Sequence, residues 1–226
     1  MGPVMIKYGK GGGCMRDFPV FTTENGVGSL VLKEIPYNGT AYITIYSSSF
    51  PTDFLKECVD FCRAVGAERI YGTGHACLEE YPLFTSVIQM SAARDCLGET
   101  DACLFPVTEK SIKQWREIYN EKMKNVHNAA YMSERAAEEL LSCGGGYFIH
   151  REQTLLGIGM AREDCIACVA SVTPGSGRQI IQALAHALMC DCVKLEVAST
   201  NYRAVRLYEY MGFIKTTERS KWYKII

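Results

Sequence analysis

Apolar residues follow two different periods along the chain, and segments of the two kinds alternate. Alternating or short continuous apolar runs predict strands, whereas apolar residues spaced three and four apart predict amphipathic helices. The predicted strands cover 29–35, 41–46, 67–72, 85–92, 103–107, 147–151, 154–162, 165–172, 193–198 and 214–226. The predicted helices cover 53–65, 108–123, 133–141 and 178–189, with a last one between Asn201 and Gly212. Residues 1–28 are rich in glycine and turn residues, which indicates an irregular or hairpin entry. This order predicts an α+β protein built on a mixed sheet.

The segment from Val193 to Phe213 carries the clearest pattern. Its strand, Val193–Ala198, is followed at positions 199–201 by three residues that are each favourable helix N-caps. Apolar residues then recur at helical spacing up to Gly212, which falls where a helix ends in the left-handed conformation. Phe213 can pack back against the last turn. The sequence therefore predicts a short strand that feeds a sharply capped helix carrying Tyr208.

This segment resembles the C-terminal half of the GNAT superfamily, the acetyl-CoA-dependent N-acyltransferases. The residues in register with the family pattern are Asn201, Ala204, Leu207, Tyr208, Glu209, Gly212 and Phe213. In that family the asparagine contacts the pantetheine arm, and the tyrosine is the usual general acid toward the departing coenzyme A thiolate. The resemblance implies these roles for Asn201 and Tyr208. On an arbitrary helix, such a tyrosine would be interpreted as a core aromatic with its hydroxyl satisfied.

A second candidate lies at the start of the helix predicted at 178–189. Gly175, Ser176, Gly177 and Arg178 place glycines before free helical N–H groups, and Arg178 can add a charge-assisted contact, which together favour pyrophosphate binding. Ser176 can form a capping box with Gln179. The loop is shorter than is usual in the family, because the proline of the preceding strand abuts the first glycine. Standing alone, the same residues would indicate only a turn before a helix.

The resemblance also implies where acetyl-CoA would bind and what it would react with. The cofactor would lie between strand 165–172 and strand 193–198, with backbone groups of Ala170 and Val172 paired to the pantetheine amides like an extra strand. The acceptor would be a primary amine of a small molecule or peptide. A non-catalytic GNAT-fold module that binds coenzyme A or a metabolite is the alternative.

An amine must be neutral to attack a thioester, so a general base is expected. The first candidate is Glu196, at the end of its strand; Glu163 and His150 are the others. Each of these types is more often a solvated surface group. Tyr208 and Glu196 are therefore the predicted catalytic pair.

The N-terminal half repeats the later one at low resolution. Strand 42–48, Pro51, helix 53–65 and strand 68–72 follow one another as do the strand, proline, helix and strand that end at Ala198. The first copy has no glycine pair before its helix. We therefore predict a tandem arrangement, with a degenerate GNAT-like domain at 1–100 and a GNAT N-acetyltransferase domain at 101–226. An unrelated α+β domain is the alternative for the first half.

Composition narrows the functional classes. With 24 Lys plus Arg against 25 Asp plus Glu, no strong field is available to hold nucleic acid or an acidic membrane. The sequence has no run of 18 apolar residues, so it predicts no transmembrane helix. The 11 cysteines are odd in number and sit mostly in apolar patterns. Cys165 and Cys168 lack a second pair to complete a metal site, so we expect no metal and reduced, small buried thiols in a cytoplasmic protein. A homodimer is left open.

Overall fold

The structure is a computed structural model that describes residues 20–126 and 129–226 of the chain. The predicted entry up to residue 19 lies outside the described residues. The described chain divides into two compact units, the first comprising residues 20–87 and 218–226 and the second residues 88–217. The predicted division into a degenerate and a complete copy at residue 100 stays a prediction.

The first unit is a mixed sheet with one long helix. Its elements in chain order are β1 (Val20–Thr23), β2 (Gly26–Val31), the single-turn α1 (Ile35–Asn38), β3 (Thr40–Ser48), α2 (Pro51–Ala64), β4 (Arg69–Thr73), a 3-10 turn (Ala76–Glu80), the start of β5 (Leu83–Ala93) and the end of β11 (Ile214–Lys224). The strand order is β1-β2-β3-β4-β11. The strands β3 and β4 are parallel, and their connection runs through α2.

The apolar face of α2 packs on this sheet, as its sequence predicts. Phe54, Leu55, Cys58 and Cys62 are buried on that face and belong to the main core cluster of the first unit. Burial raises the pKa of Cys58 to about 12 and that of Cys62 to about 11, so both thiols stay protonated. These two cysteines act as small apolar residues.

The second unit is a larger mixed sheet with four helices among its described residues. Its elements in chain order are the rest of β5, a 3-10 turn (Arg94–Leu97), β6 (Cys103–Pro106), α3 (Ile112–Met123), α4 (Glu134–Cys143), β7 (Gly146–Arg151), β8 (Thr154–Arg162), β9 (Cys165–Ser171), α5 (Gly177–His186), β10 (Cys192–Ala198), α6 (Tyr202–Tyr210) and the start of β11. The strand order is β5-β10-β9-β8-β7-β6. The neighbouring strands β8 and β9 are antiparallel, whereas β9 and β10 are parallel.

Two glycines on β8 bring α5 close to the sheet. A Cβ on Gly157 would lie 2.6 Å from Cδ1 of Ile180, and a Cβ on Gly159 would overlap Leu184. Both helix residues are fully buried in the core cluster of the second unit. Because α5 rests directly on β8, its N-terminus is held near the end of β9 by packing that no ligand has to provide.

The predicted helix 178–189 is too long at its C-terminus. It ends at His186, and the N–H groups of Ala187 and Leu188 bond three residues back, which tightens the last turn. The Arg94 guanidinium then donates to the Leu188 carbonyl at 2.9 Å. Arg94 thus closes the helix from a segment about ninety residues earlier, and the local helical pattern carries no sign of it.

The cysteine prediction holds only in part. The ten cysteines of the described residues are all free, but Cys96, Cys103, Cys143 and Cys192 are exposed rather than buried. Among the described helices, none combines the length and the apolar character that crossing a bilayer requires.

Candidate functional site

The loop between β9 and α5 leaves the start of the helix open. Gly175 has φ +83°, a left-handed conformation that suits glycine, and a Cβ there would meet no atom within 4 Å. The helix begins at Gly177 with Ser176 as its N-cap. The approach to the first turn of α5 is therefore unobstructed on the Gly175 side.

The predicted capping box of Ser176 and Gln179 is wrong. The Ser176 hydroxyl is buried and points away from the helix, where it donates to the carbonyl of Thr173 at 2.7 Å or of Leu156 at 2.8 Å. No cap bond from the Ser176 side chain forms, because the hydroxyl instead ties the loop to β8. The absence of this cap leaves the helix N-terminus more available to a ligand.

Three N–H groups at this N-terminus have no acceptor within the described residues. The first helical bond runs from the Ile180 N–H to the Ser176 carbonyl at 3.0 Å, so the N–H groups of Gly177, Arg178 and Gln179 precede the ladder. Together with the positive end of the helix dipole, they can bind an anion. No acidic residue lies in the first turn.

Gly177 has a packing role as well. A Cβ at this position would lie 2.8 Å from Cδ2 of Leu207, so the glycine lets the start of α5 touch the middle of α6. The two predicted motifs, one around Gly177 and one around Tyr208, are therefore in direct contact.

The parallel strands β9 and β10 part soon after they begin. Their ladder consists of Cys165 with Lys194 and Ile166 with Leu195. Within the described residues, no further ladder pair joins these two strands, although β9 continues to Ser171 and β10 to Ala198. The two strands are thus unpaired toward their C-terminal ends, which is the opening that the family resemblance implies.

The prediction that the backbone groups of Ala170 and Val172 face this opening is wrong by one residue. The Val172 N–H already donates to the Leu156 carbonyl of β8 at 2.9 Å. In an antiparallel ladder the bonding direction alternates, so Ala170, paired with Ile158, also points toward β8. Val169 and Ser171 instead present their N–H and C=O groups on the side away from β8.

A bulge sets this phase. Met160 of β8 pairs with Cys168, whereas its neighbour Ala161 pairs with Ile166, so Ala167 is an extra residue on β9. A bulge bends the strand and shifts the side-chain alternation by one. It lies where β9 leaves β10.

The helix α6 is capped at both ends as predicted. Asn201 is the N-cap, and its Oδ1 accepts from the Ala204 N–H at 3.3 Å. At the other end Gly212 has φ +93°, the Phe213 N–H donates to the Tyr208 carbonyl, and the rings of Phe213 and Tyr208 lie 5.8 Å apart. These contacts fix the rotation of α6 and with it the direction of Tyr208.

Tyr208 is buried in the core cluster of the second unit, with 9% of its surface exposed. Burial raises the pKa of its phenol above the ordinary value, and the neighbouring Cys168 of β9 raises it further. The phenol therefore keeps its proton at neutral pH and is not available as a base. Cys168 lies on β9 beyond Ile166, the last residue of that strand paired to β10.

The three candidate bases lie in different places. Glu196 is exposed and directly follows Leu195, the last residue of β10 paired to β9. Glu163 lies in the tight turn before β9, with φ +57°, at the paired end of the two strands. His150 is on β7, where its ring contacts Phe105, and β8 separates it from β9. Only Glu196 adjoins the opening.

Comparison with solved structures reveals related folds. A GCN5-related N-acetyltransferase from Anabaena variabilis matches 91% of this chain and 62% of its own, at 11% identity and a TM-score of 0.58. A functionally unknown conserved protein from Staphylococcus epidermidis matches 92% of this chain and 93% of its own, at 12% identity and a TM-score of 0.56. A tandem GNAT protein from the clavulanic acid biosynthesis pathway matches 88% of this chain and 78% of its own, at 10% identity and a TM-score of 0.52. No protein-family model and no curated protein matches the chain.

The chain has the GNAT fold. The likeness to the tandem protein extends over most of the chain and thus over residues of both units. The predicted fold class, an α+β mixed sheet of GNAT type in tandem, is therefore confirmed. At these identities the likeness is one of fold.

The residues of this GNAT-fold site suit an acyl-CoA in three respects. The first turn of α5 offers unpaired donors, β9 offers an unpaired edge at Val169 and Ser171, and the Asn201 amide nitrogen has no partner among the described residues. No three His, Cys, Asp or Glu side chains come close enough to hold a metal ion in the described part of the chain.

Sequence reasoning missed Tyr210. The Arg178 guanidinium carbon lies 5.8 Å from the centre of the Tyr210 ring, and both residues line a cavity with Leu97. One feature of the sequence pointed to Tyr210: it is an aromatic residue on α6 that lies outside the apolar face of the helix. What could not be seen was that residues near 97 return to the same place.

Proposed function

We propose that the second unit is an N-acyltransferase that moves the acetyl group of acetyl-CoA to a primary amine of a small molecule or peptide. The observation that carries the proposal is the parting of β9 from β10 after two residue pairs, next to the open N-terminus of α5. Parallel neighbours in a sheet normally stay paired, and a gap leaves backbone donors and acceptors that a ligand can satisfy.

The chain's own groups can hold each part of acetyl-CoA. The N–H groups of residues 177–179 would bind the diphosphate, with Arg178 adding a charge-assisted contact. Val169 and Ser171 would pair with the pantetheine amides as an added strand. The Asn201 amide can donate to the same arm, while its oxygen stays bonded to the helix.

Acetyl-CoA would supply an activated thioester whose sulfur leaves as a thiolate. Tyr208 is protonated at neutral pH, as an ordinary phenol also is, and would donate that proton to the departing sulfur. Glu196, at the mouth of the opening, would accept the proton of the attacking amine. Holding both reactants in position is worth up to about 7–11 kcal/mol of the barrier.

A non-catalytic binding module is the second candidate, and the burial of Tyr208 favours it. Only 9% of this residue is exposed, so little of it is accessible to a reacting substrate. A module of this kind would use the same α5 N-terminus and β9 edge but would release no thiol.

Two measurements separate these candidates. Acetyl-CoA at a hundredfold excess over its Kd should stabilise the protein by about 2.7 kcal/mol, seen as a rise in Tm by scanning calorimetry. Thiol release is then measured across polyamines, amino acids, aminoglycosides and peptide N-termini. Stabilisation with thiol release supports the transferase, and stabilisation without it supports the binding module. If acetyl-CoA leaves Tm unchanged, the transferase and a module that binds coenzyme A are both ruled out.

A further inference from the structure

A cavity of about 230 Å³ lies beside the first turn of α5. It is lined by Cys96, Leu97, Arg178, Tyr210 and Met211. Pockets for whole ligands usually enclose roughly 300–1,000 Å³. This cavity is therefore the right size for one ring system of a larger molecule.

The walls of the cavity combine an aromatic face, a cation and an apolar floor. Tyr210 is 76% exposed, so its ring is accessible to a ligand. The Arg178 guanidinium carbon lies 5.8 Å from the centre of that ring, and Arg178 is in none of the ion pairs of the described residues. Leu97 and Met211 are buried and supply the apolar floor. A flat ring that carries phosphate matches all three features.

The wall formed by Leu97 is fixed in place. The buried Gln182 side chain of α5 donates to the Leu97 carbonyl at 2.8 Å, across 85 positions of sequence. Gly98 continues the turn with φ +73°. On the other side, the Met211 N–H bonds to the Leu207 carbonyl at the end of α6. A cavity built on hydrogen-bonded elements needs little reorganisation to accept a ligand.

We propose that this cavity binds the purine ring of coenzyme A, stacked on Tyr210, with the neighbouring phosphates on Arg178. The inference rests on the proposed function, because it takes the diphosphate to lie on the α5 N-terminus. It explains how a chain with a shortened loop before α5 holds the nucleotide: the contact comes from α6 and from the segment at 96–97. Stacking of a base on an aromatic side chain is a general and strong contact.

The other end of α6 offers a competing position. Tyr202, eight residues before Tyr210, is 68% exposed and follows the Asn201 cap. It does not line this cavity, and no guanidinium lies over its ring in the described residues. The cavity and the cation are both at Tyr210, so the geometry favours that end.

Cys96 gives a direct test, because it is an exposed thiol in the wall of the cavity. The rate of its alkylation by N-ethylmaleimide is measured by peptide mass spectrometry on the full chain. The probes carry no free thiol, which would consume the maleimide: S-methyl-coenzyme A, adenosine 3′,5′-bisphosphate and S-methylpantetheine. We expect the first two to slow alkylation of Cys96 at least fivefold and S-methylpantetheine to have no effect. The exposed Cys103 and Cys143 are internal references whose rates should not change.

Variants on α6 locate the ring. Tyr210→Ala should weaken coenzyme A binding roughly tenfold by calorimetry and leave pantetheine binding unchanged, whereas Tyr210→Phe should restore coenzyme A binding. Tyr202→Ala is the matched control, since it removes an equally exposed tyrosine from the same helix. Loss of affinity in Tyr202→Ala with none in Tyr210→Ala would overturn the inference.

The outcomes also separate this inference from the proposed function. If coenzyme A binds with unchanged alkylation of Cys96, the nucleotide lies elsewhere and only the inference fails. If neither coenzyme A nor pantetheine binds, the proposed function fails and the inference fails with it. Protection of Cys96 that disappears in Tyr210→Ala supports both.

Discussion

Each unit contains a strand–helix–strand element with parallel strands, β3–α2–β4 in the first and β9–α5–β10 in the second, and the two copies differ in whether the strands stay together. In the first unit β3 and β4 form five consecutive pairs, from Thr40 with Arg69 to Thr44 with Thr73. In the second unit the ladder ends after two pairs. The same local topology therefore produces a closed sheet in one copy and an opening in the other.

The segment after the second strand of each copy accounts for part of the difference. Gly74 comes directly after β4 with φ +98°, and a Cβ on it would overlap the carbonyl oxygen of Ile45 on β3. The chain after β4 thus presses on the neighbouring strand. After β10 the chain turns instead into α6 at the Asn201 cap, and Tyr208 packs into the core between that helix and the sheet.

The helix starts differ in charge as well. α2 begins with Pro51, which has no N–H, and has Asp53 in its first turn. α5 begins with Gly177 and has Arg178 beside its free N–H groups. An anion would be repelled at the first start and attracted at the second. Of the two copies, only the second has the features of an anion-binding site.

The largest expected loss of stability comes from adding a Cβ at Gly74, where it would overlap the backbone of β3 in the closed copy. Gly74→Ala should cost about 3 kcal/mol of unfolding free energy, from left-handed strain and overlap with backbone. Gly175→Ala has the same strain but open space, so about 1 kcal/mol is expected. Urea unfolding measures both, with Trp222 reporting on the first unit in a Trp115→Phe background and Trp115 on the second in a Trp222→Phe background. Equal losses would contradict the contrast.

The next effect concerns the tyrosine of the open copy. Tyr208→Phe should lower kcat on the order of 10²-fold and leave the Kd for acetyl-CoA nearly unchanged, because only proton donation is lost. Tyr71→Phe is the control, since Tyr71 is a buried tyrosine of the closed copy. It should leave kcat unchanged. Unchanged turnover in Tyr208→Phe would remove this residue from the mechanism.

A smaller effect separates the two roles of Asn201. Asn201→Ala should lose about 1 kcal/mol of stability, because the N-cap is lost, and should also weaken acetyl-CoA binding. Asn201→Asp keeps a cap oxygen and removes the amide donor. It should keep the stability and lose only affinity, as measured by urea unfolding and calorimetry. If Asn201→Asp binds acetyl-CoA as tightly as the unaltered protein, Asn201 only caps the helix and does not contact the cofactor.

The last effect is confined to the alkaline range. Burial raises the pKa of Tyr208 in the open copy and of Tyr42 in the closed copy above the ordinary value near 10. Below about pH 10 both states keep the phenol proton, and the free energy of unfolding does not depend on it. Above about pH 10 the phenol ionises first in the unfolded chain, so the free energy of unfolding falls. Each phenol contributes at most about 1.4 kcal/mol per pH unit to this fall, and replacing the tyrosine with Phe should remove its contribution. Saturating acetyl-CoA should change the slope for Tyr208 only; a change for Tyr42 would argue against the assignment of the opening.

The sequence was sufficient for the elements that local pattern controls. β8 has the predicted bounds, Ser133 caps α4 by accepting from the Ala136 N–H, and Gly212 ends α6 as expected. These features depend on residues within one turn or one strand. The parting of β9 and β10 was predicted through the family resemblance rather than from periodicity.

The remaining features depend on contacts that side-chain patterns do not encode. The phase of the β9 backbone depends on the bulge at Ala167, so Ala170 and Val172 were predicted in place of Val169 and Ser171. Likewise, the Ser176 hydroxyl bonds to a carbonyl of β8, twenty residues earlier, instead of capping its own helix.

Hydrogen exchange at single-amide resolution, with and without acetyl-CoA, tests the central claim most directly. The account predicts slower exchange at Val169, Ser171 and residues 177–179, and unchanged exchange along β3 and β4. Binding of acetyl-CoA with no protection on the β9 edge would contradict it.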